Sequence, residues 1–337
     1  MAVDLGVRTT KAVNLQRRGE RFALVNYTVV ETPVTEGPLN GEALTEHLQK
    51  VCREVGLGRQ RKVTLAIGVA DSFIRQIEAP MMEPENLRQM LKFNSKAYLQ
   101  QELPDHVFDC HVCGAAAPAE GAKPGTVKQK VIVGAAPRAL IDGLQKAAKE
   151  AGVVADQIVP GLLGPPNAFE LAEPDAFLKD VVALVEIGFR NTIITILDSG
   201  EIKLTRVVSI GGDRLTTGLA EAMSISYEEA ENIKVGMPGE VQQNLEALLY
   251  PLGRELRASI DFFEHQEEKT VSEVFVSGGS ARSEFLLQAL QNELMVPCKS
   301  WNPVKTMQVS VKPDKAGELE ELAPQLTVAV GAAACGF

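Results

Sequence analysis

The feature that most constrains this chain is a repeat. Residues 3–15 (VDLGVRTTKAVNL) align without a gap on residues 185–197 (VEIGFRNTIITIL), 182 positions later. Five of the thirteen positions are identical, and Asp4 is matched by Glu186. Each copy runs as a strand with an acidic residue near its end, turns at a glycine and returns as a second strand, which is the pattern of a β-hairpin. The tip of such a hairpin exposes backbone N–H groups, hydroxyl or amide side chains and one carboxylate. A single copy would mean little, because apolar-acidic-apolar-glycine is a common hairpin pattern. Two copies more than half a chain apart predict a duplicated structure, and 337 residues suffice for two compact units facing across one cleft.

Strand–helix alternation around both hairpins predicts α/β layers. In the first half a strand (21–31), a helix (40–55), strands at 62–69 and 73–79, and a helix over 83–99 with Pro84 near its start follow in order. Strands at 108–114 and 128–135 flank a Gly/Ala/Pro-rich loop at 114–126, expected to be mobile. A helix over 137–151 stops at Gly152, and a turn-rich stretch at 160–166 precedes a short helix at 167–172. The second half repeats the hairpin (181–197), then a strand (201–210), a helical region (212–266), a strand (273–277) and helices over 283–294 and 322–334. Apolar residues at 245, 248, 249, 252, 256, 260 and 263 share one helix face. Pro251 interrupts that face, so a kink or two consecutive helices are expected there.

Several function classes are excluded. Thirty-four basic against 44 acidic residues give a net charge of −10, which argues against a nucleic-acid partner. The most apolar stretches, 181–189 and 326–337, are nine and 12 residues long, against the ~20 a membrane-spanning helix needs. Asp4 stands where a secretory leader would carry its positive and apolar regions, and five cysteines do not form a disulfide framework, so a cytoplasmic protein is expected. Cys110 and Cys113 form a CxxC pair, but it sits in a strand, where residues three apart face opposite ways. There is no GxxxxGK[ST] loop and no GxGxxG opening a helix. Gly278, Ser280 and Arg282 approach a nucleophile elbow, but Arg282 replaces its last glycine and no histidine follows Ser280. By contrast, Gly211-Gly212 and Gly278-Gly279 each end a strand and open a helix, where bare backbone and the helix dipole favour an anion.

The paired hairpins with the Gly278-Gly279 turn resemble the phosphate and adenosine motifs of the actin-like ATPase superfamily. SIGGD at 209–213, SYEEAENIK at 226–234, residues 257–263, FVSGGSAR at 275–282, Pro297, WNP at 301–303 and AVG at 329–331 narrow the resemblance. So does the stretch 80–99 followed by 107–114. Together these resemble the PilM family of type IV pilus assembly, over essentially the whole chain. The fold so implied is a duplicated, ribonuclease H-like two-lobed α/β structure. Its first lobe is expected at 1–61 and 134–178, an inserted α+β subdomain of FtsA/PilM type at 62–133, and the second lobe at 179–337, with a helical subdomain at about 212–270.

The resemblance implies a site for ATP and Mg²⁺. Asp4 and Glu186 would hold the hydrated metal from opposite sides of the cleft. Gly6, Thr9, Thr10 and Lys11 would cradle and neutralise the phosphates from the first hairpin; Gly188, Asn191 and Thr192, with Gly211 and Gly212, would do so from the second. Glu231 and Lys234 would meet ribose and adenine, and Gly278, Gly279 and Arg282 would flank the base. Where the second motif usually has Asp, this chain has Glu186, followed by the bulky Phe189 and Arg190. Hydrolysis is therefore expected to be slow or absent, because a ~1 Å misplacement of a reacting group costs on the order of 10²-fold. The implied role is a cytoplasmic scaffold that binds the N-terminal peptide of a PilN-like inner-membrane protein and so sits peripherally on that membrane, without inserting directly. A pilus assembly ATPase is a second candidate partner. The alternatives are an FtsA-like division protein, whose amphipathic membrane helix has no counterpart in 331–337, and a small-molecule kinase, for which no catalytic base is evident.

Overall fold

The computed structural model describes residues 1–35, 39–56, 61–115, 128–236 and 238–336. The first hairpin is β1 (Ala2–Asp4) and β2 (Thr9–Arg18), extended by β3 (Arg21–Glu31). After α1 (Gly41–Val55), β4 (Lys62–Ile67) pairs parallel with β1 on its other side. The chain then leaves this sheet. Strand β5 (Phe73–Pro80), α2 (Pro84–Leu99), β6 (His106–Ala115) and β7 (Lys128–Pro137) build a separate three-stranded antiparallel sheet, ordered β5-β7-β6, with its own core against α2. Helix α3 (Arg138–Glu150) brings the chain back to β8 (Val154–Pro160), parallel to β4.

Two short helices, α4 (Gly164–Ala172) and α5 (Pro174–Lys179), lead into the second half. Its hairpin is β9 (Val181–Ile187) and β10 (Thr192–Asp198), followed by β11 (Glu201–Val208). Helices α6 (Gly212–Met223), α7 (Tyr227–Gly236) and α8 (Gln242–Glu267) precede β12 (Glu273–Gly278), α9 (Glu284–Leu294) and β13 (Cys298–Ser300). The order β11-β10-β9-β12-β13 repeats β3-β2-β1-β4-β8, three antiparallel strands followed by two parallel ones. The duplication legible in thirteen residues therefore extends through five strands of each half.

The tail crosses back. Strand β14 (Gln308–Val309) joins the first sheet beside β3, and after α10 (Pro313–Leu322) helix α11 (Thr327–Ala334) packs on α4, β1 and β2. Two expected boundaries shift as a result. Residues 62–67, expected in the insert, are a central strand of the first sheet, because β1 has two edges and β4 satisfies the second. Residues 308–309, expected in the second lobe, pair with the first sheet, and the helices after them pack between the two.

Packing forms layers around one shared core. Ala2, Val13 and Leu24 of the first sheet, Val182, Leu184 and Phe275 of the second, and α4 and α11 between them belong to a single buried cluster. Phe169 of α4 meets Phe275 edge-on at 4.6 Å and Trp301 at 5.3 Å. The outer face of the first sheet packs on α1 and α3, that of the second on α8 and α9. Covering on both faces explains why β9 and β10 read as nearly continuous apolar runs rather than alternating ones.

Some local expectations change. Helix α8 runs through Pro251 as one helix rather than two, with Leu245, Leu249, Leu252, Leu256, Ile260 and Phe263 buried on both sides of the proline. Helix α2 bends at Asn94 (φ −130°) instead. Strand β8 had no counterpart among the expected elements, since it is half-exposed and lacks an apolar run. The loop expected at 114–126 lies outside the described residues from 116 onward. Cys110 and Cys113 remain on β6, and among the described residues no three His, Cys, Asp or Glu side chains converge as a metal site.

The central layer depends on backbone contact between α4 and α11. A Cβ at Gly331 would lie 1.9 Å from the carbonyl oxygen of Gly164, and one at Gly164 would lie 2.6 Å from Val328 Cα. Gly331→Ala should lower stability by ~1–3 kcal/mol, measured by urea unfolding, because backbone on the far side cannot give way. Helix propensity alone would raise stability by ~1 kcal/mol, so a gain would show that the crossing has slack.

Candidate functional site

The strands of both halves point their carboxyl ends into one cavity of about 460 Å³, lined by the ends of β1, β4, β9 and β12 and the loops that follow them. The first hairpin contributes Asp4, Gly6, Thr9 and Lys11; the second contributes Glu186, Gly188 and Asn191. Gly212, Glu231 and Lys234 line it from α6 and α7, and Gly278, Gly279 and Arg282 from the end of β12. The repeat is what brings these residues together, since equivalent strand ends of two like sheets face the same space.

Three expected residues do not line the cavity. Thr10 is fully buried and turned away, bonded to His47 and Thr32. Thr192, its counterpart 182 positions on, is likewise buried and donates to the Ile210 carbonyl at 2.6 Å. Both follow from strand alternation: Thr9 and Asn191 face the cavity, so their neighbours face the opposite way. Gly211 lies beneath the second turn, where a Cβ would be 2.4 Å from the Phe189 carbonyl oxygen.

The two turns are built differently. In the second, Gly188 N–H donates to Asn191 O at 3.0 Å, while the Gly188 and Phe189 carbonyls accept from Gly212 and Asp213 N–H, each at 2.9 Å. In the first, no acceptor among the described residues takes the backbone N–H of Gly6, Val7 or Arg8. All three residues line the cavity, so their amides are available to an anion. Gly278 adopts φ +93°, and a Cβ there would meet the Ile187 carbonyl oxygen at 2.2 Å; only glycine lets β12 end this close to β9.

The electrostatics differ between the two ends of the cavity. Burial pushes the Asp4 carboxyl up, against the opposing pull of Lys11, whose Nζ lies 3.5 Å from it. Burial pushes Glu186 up to about 7, although a short hydrogen bond from Ser277 and the nearby Lys11 favour its charged form, while Asp4 opposes it. One lysine thus serves two desolvated carboxylates. Across the cavity, burial pushes Glu231 up, but hydrogen bonds from Lys234 and Thr216 outweigh it and hold the carboxyl below its usual range. Lys234 also donates to Thr216 Oγ1 at 2.7 Å, so the pair on α7 is fastened to α6. Leu215, Leu245, Leu249 and Phe285 give this end an apolar wall.

Two groups at the cavity went unforeseen. Gly68, Val69, Ala70 and Asp71 follow β4 and line it. The signal was available in principle, because β4 holds the place in its sheet that β12 holds in the other. At the mouth, the Arg8 guanidinium lies 5.4 Å from the Phe189 ring and 5.8 Å from that of Tyr227, whose hydroxyl donates to Asp213 at 2.9 Å. No sequence pattern links those four residues.

The profile of the family described as type IV pilus assembly protein PilM matches residues 2–337. The chain belongs to the PilM family. Among solved structures, it is similar to the PilM of a PilM-PilN type IV pilus biogenesis complex, at 24% identity with a TM-score of 0.81, covering 99% of this chain and 97% of that one. The ethanolamine utilization protein EutJ from Carboxydothermus hydrogenoformans follows at 14% identity, TM-score 0.55, 99% and 88% covered. MreB 5 of Spiroplasma citri bound to AMPPNP follows at 11%, 0.52, 98% and 94%. These likenesses establish the actin-like ATPase fold for this PilM-family chain. A curated relative, cell division protein FtsA of Bacillus subtilis (strain 168), is 38% identical over 53 residues, 16% of this chain and only 12% of the FtsA.

The buried position of Thr192 separates support from ligand contact. Thr192→Val should lower stability by ~1–2 kcal/mol in urea unfolding, because the Ile210 carbonyl loses its donor. Unchanged stability would contradict a supporting role for the hydroxyl.

Proposed function

We propose that this PilM-family protein binds Mg·ATP in the cleft and serves as a nucleotide-binding scaffold at the cytoplasmic face of a type IV pilus or related secretion machine. The observation that carries the nucleotide reading is the convergence of two duplicated acidic-glycine turns on one cavity, with three backbone amides in the first turn lacking an acceptor among the described residues. The residues fit the ligand. Two carboxylates sharing one lysine suit a hard divalent cation, which takes oxygen donors. When bound, Mg²⁺ would neutralise phosphate charge. Asp4 and Glu186 would hold it, Lys11 and the amides of Gly6, Val7 and Arg8 would face the phosphates, and Glu231 and Lys234 with their apolar neighbours would take the nucleoside.

Calorimetry should detect Mg·ATP binding that Lys11→Ala weakens about tenfold or more, the range expected for losing a charged hydrogen-bond donor. No heat at millimolar Mg·ATP would remove the nucleotide reading. Turnover is expected well below the ~1–10³ s⁻¹ of ordinary enzymes, since Glu186, Phe189 and Arg190 alter the second turn. A rate within that range would favour an active ATPase or kinase.

The partner reading rests on the solved relative that is a PilM-PilN complex. We infer that this chain takes the cytoplasmic N-terminal peptide of a PilN-like bitopic protein, beside the insert and the first sheet, and reaches the inner membrane through it; a pilus assembly ATPase is a second candidate. No helix among the described residues is long and apolar enough to cross a membrane, and a charge of −10 repels anionic leaflets. Leu87 and Leu91 of α2 are fully buried in the insert's own core, so that face of the helix does not form the groove, whereas Met81 and Phe93 are exposed. In flotation assays the protein should bind anionic liposomes only when they display the PilN-like peptide of its own operon. Binding to bare liposomes, or none to the peptide-bearing ones, would overturn this.

A further inference from the structure

Behind the first turn lies a chain of side chains that the nucleotide reading leaves unused. His47 on α1 is buried, with Nε2 2.8 Å from Thr10 Oγ1. Thr10 Oγ1 lies 3.0 Å from Thr32 Oγ1, and Thr32 Oγ1 donates to the Gly6 carbonyl at 2.8 Å. The N–H of Thr32 donates to the Arg8 carbonyl at 2.9 Å, so Thr32 holds the turn on both sides of Val7.

Counting protons orders the chain. A carbonyl only accepts, and a threonine hydroxyl has one proton to give. Thr32 gives its proton to Gly6, so Thr10 must give its own to Thr32. The contact between His47 and Thr10 then requires the proton on His47 Nε2. Burial and the nearby Lys50 hold this imidazole below its usual range, against a smaller upward pull from Glu54, so near neutral pH the ring is neutral with one proton to place.

We propose that His47, acting through Thr10 and Thr32, is a positioning residue that fixes the phosphate-facing turn at Gly6, Val7 and Arg8. The proposal deepens the nucleotide reading and rests on it. Within a planar trans peptide the carbonyl and the following N–H point in opposite directions. Pinning Gly6 O therefore sets the direction of Val7 N–H, one of the amides without an acceptor among the described residues. The second half shows the same need met differently: the Gly188 carbonyl, equivalent to that of Gly6, and the neighbouring Phe189 carbonyl are pinned by the first amides of α6, which starts directly behind them. In the first half the next helix starts only at Gly41, and Thr32 supplies the donors.

Two measurements test this. A long-range ¹H–¹⁵N spectrum of the unliganded protein should show His47 protonated at Nε2; a proton on Nδ1 with Nε2 bare overturns the ordering. Calorimetry with Mg·ATP should show Thr32→Val, Thr10→Val and His47→Leu each weakening binding about tenfold, as when a polar group loses its partner. His47→Gln, whose amide can donate from the same position, should stay within about threefold of wild type. The double variant Thr10→Val/His47→Leu should be no weaker than Thr10→Val, since both break one chain. Variants that melt earlier but bind normally, or a double variant with additive losses, would reduce the chain to a structural role and overturn the proposal. If His47→Leu does not fold, Thr32→Val at the half-buried end carries the same expectation. A wild-type protein that fails to bind Mg·ATP would bring down the nucleotide reading and this role together; normal binding by all three single variants would bring down this role alone.

Discussion

Everything at the cleft depends on how closely two helices pass between the sheets. Gly164 of α4 and Gly331 of α11 bring backbone against backbone, at a spacing that leaves no room for a methyl group. That contact sets the thickness of the central layer, in which Phe169, Phe275 and Trp301 interlock. The layer in turn sets where the carboxyl ends of β1 and β9 stand relative to each other. Because protein interiors are close-packed, a small change in this layer is transmitted to the sheets rather than absorbed. Val328, which packs on Gly164, lines the cavity itself, and the charged residues of the two hairpins take their separation from this contact.

Within that frame, the cleft concentrates charge that folding alone does not neutralise. Asp4 and Glu186 are desolvated enough to raise both carboxyls, and Lys11 is the cation they share. A buried carboxylate without full compensation is costly, so such a pair is expected where a ligand completes the balance. The opposite end of the cavity is already balanced: Glu231, Lys234 and Thr216 satisfy one another. The cleft thus has one end where two buried carboxylates share a single lysine and another with a pre-formed polar clamp beside an apolar wall. That polarity is what the nucleotide reading explains.

The two halves began as one pattern but are supported unequally. Thr10 and Thr192 occupy equivalent positions, both buried behind their turns, yet one belongs to a side-chain relay and the other bonds a backbone carbonyl directly. The second turn is stiffened by the start of α6 and closed internally at Gly188, while the first leaves the equivalent Gly6 amide without an acceptor among the described residues. Divergence after duplication is visible here as the difference between a side-chain-held turn and a backbone-held one.

The repeat, the acidic residue in each copy, the glycine turns and the α/β alternation were all legible from sequence, because they are local and follow from period, turn chemistry and spacing. They predicted a duplicated α/β structure, the family resemblance built on them implied the actin-like fold, and thirteen of the sixteen site residues so expected line the cavity. Facing direction was not: Thr10, Thr192 and Gly211 sat in the right segments, but which side of a strand or turn meets the cavity depends on what packs behind it. The half-exposed β8 and β13 and the exposed β14 carry no apolar run of their own and exist because a neighbouring strand edge needs a partner. Pro251 argued for a break that burial on both sides of it overrode. The return of α11 to the first sheet and the mouth contact among Arg8, Phe189 and Tyr227 arise from long-range packing between segments distant in sequence, and such contacts leave no periodic trace. Sequence by itself determined which local pieces exist and which chemistry they carry; only the tertiary structure decided which faces meet, because that is settled by the volume of the shared core rather than by any one segment.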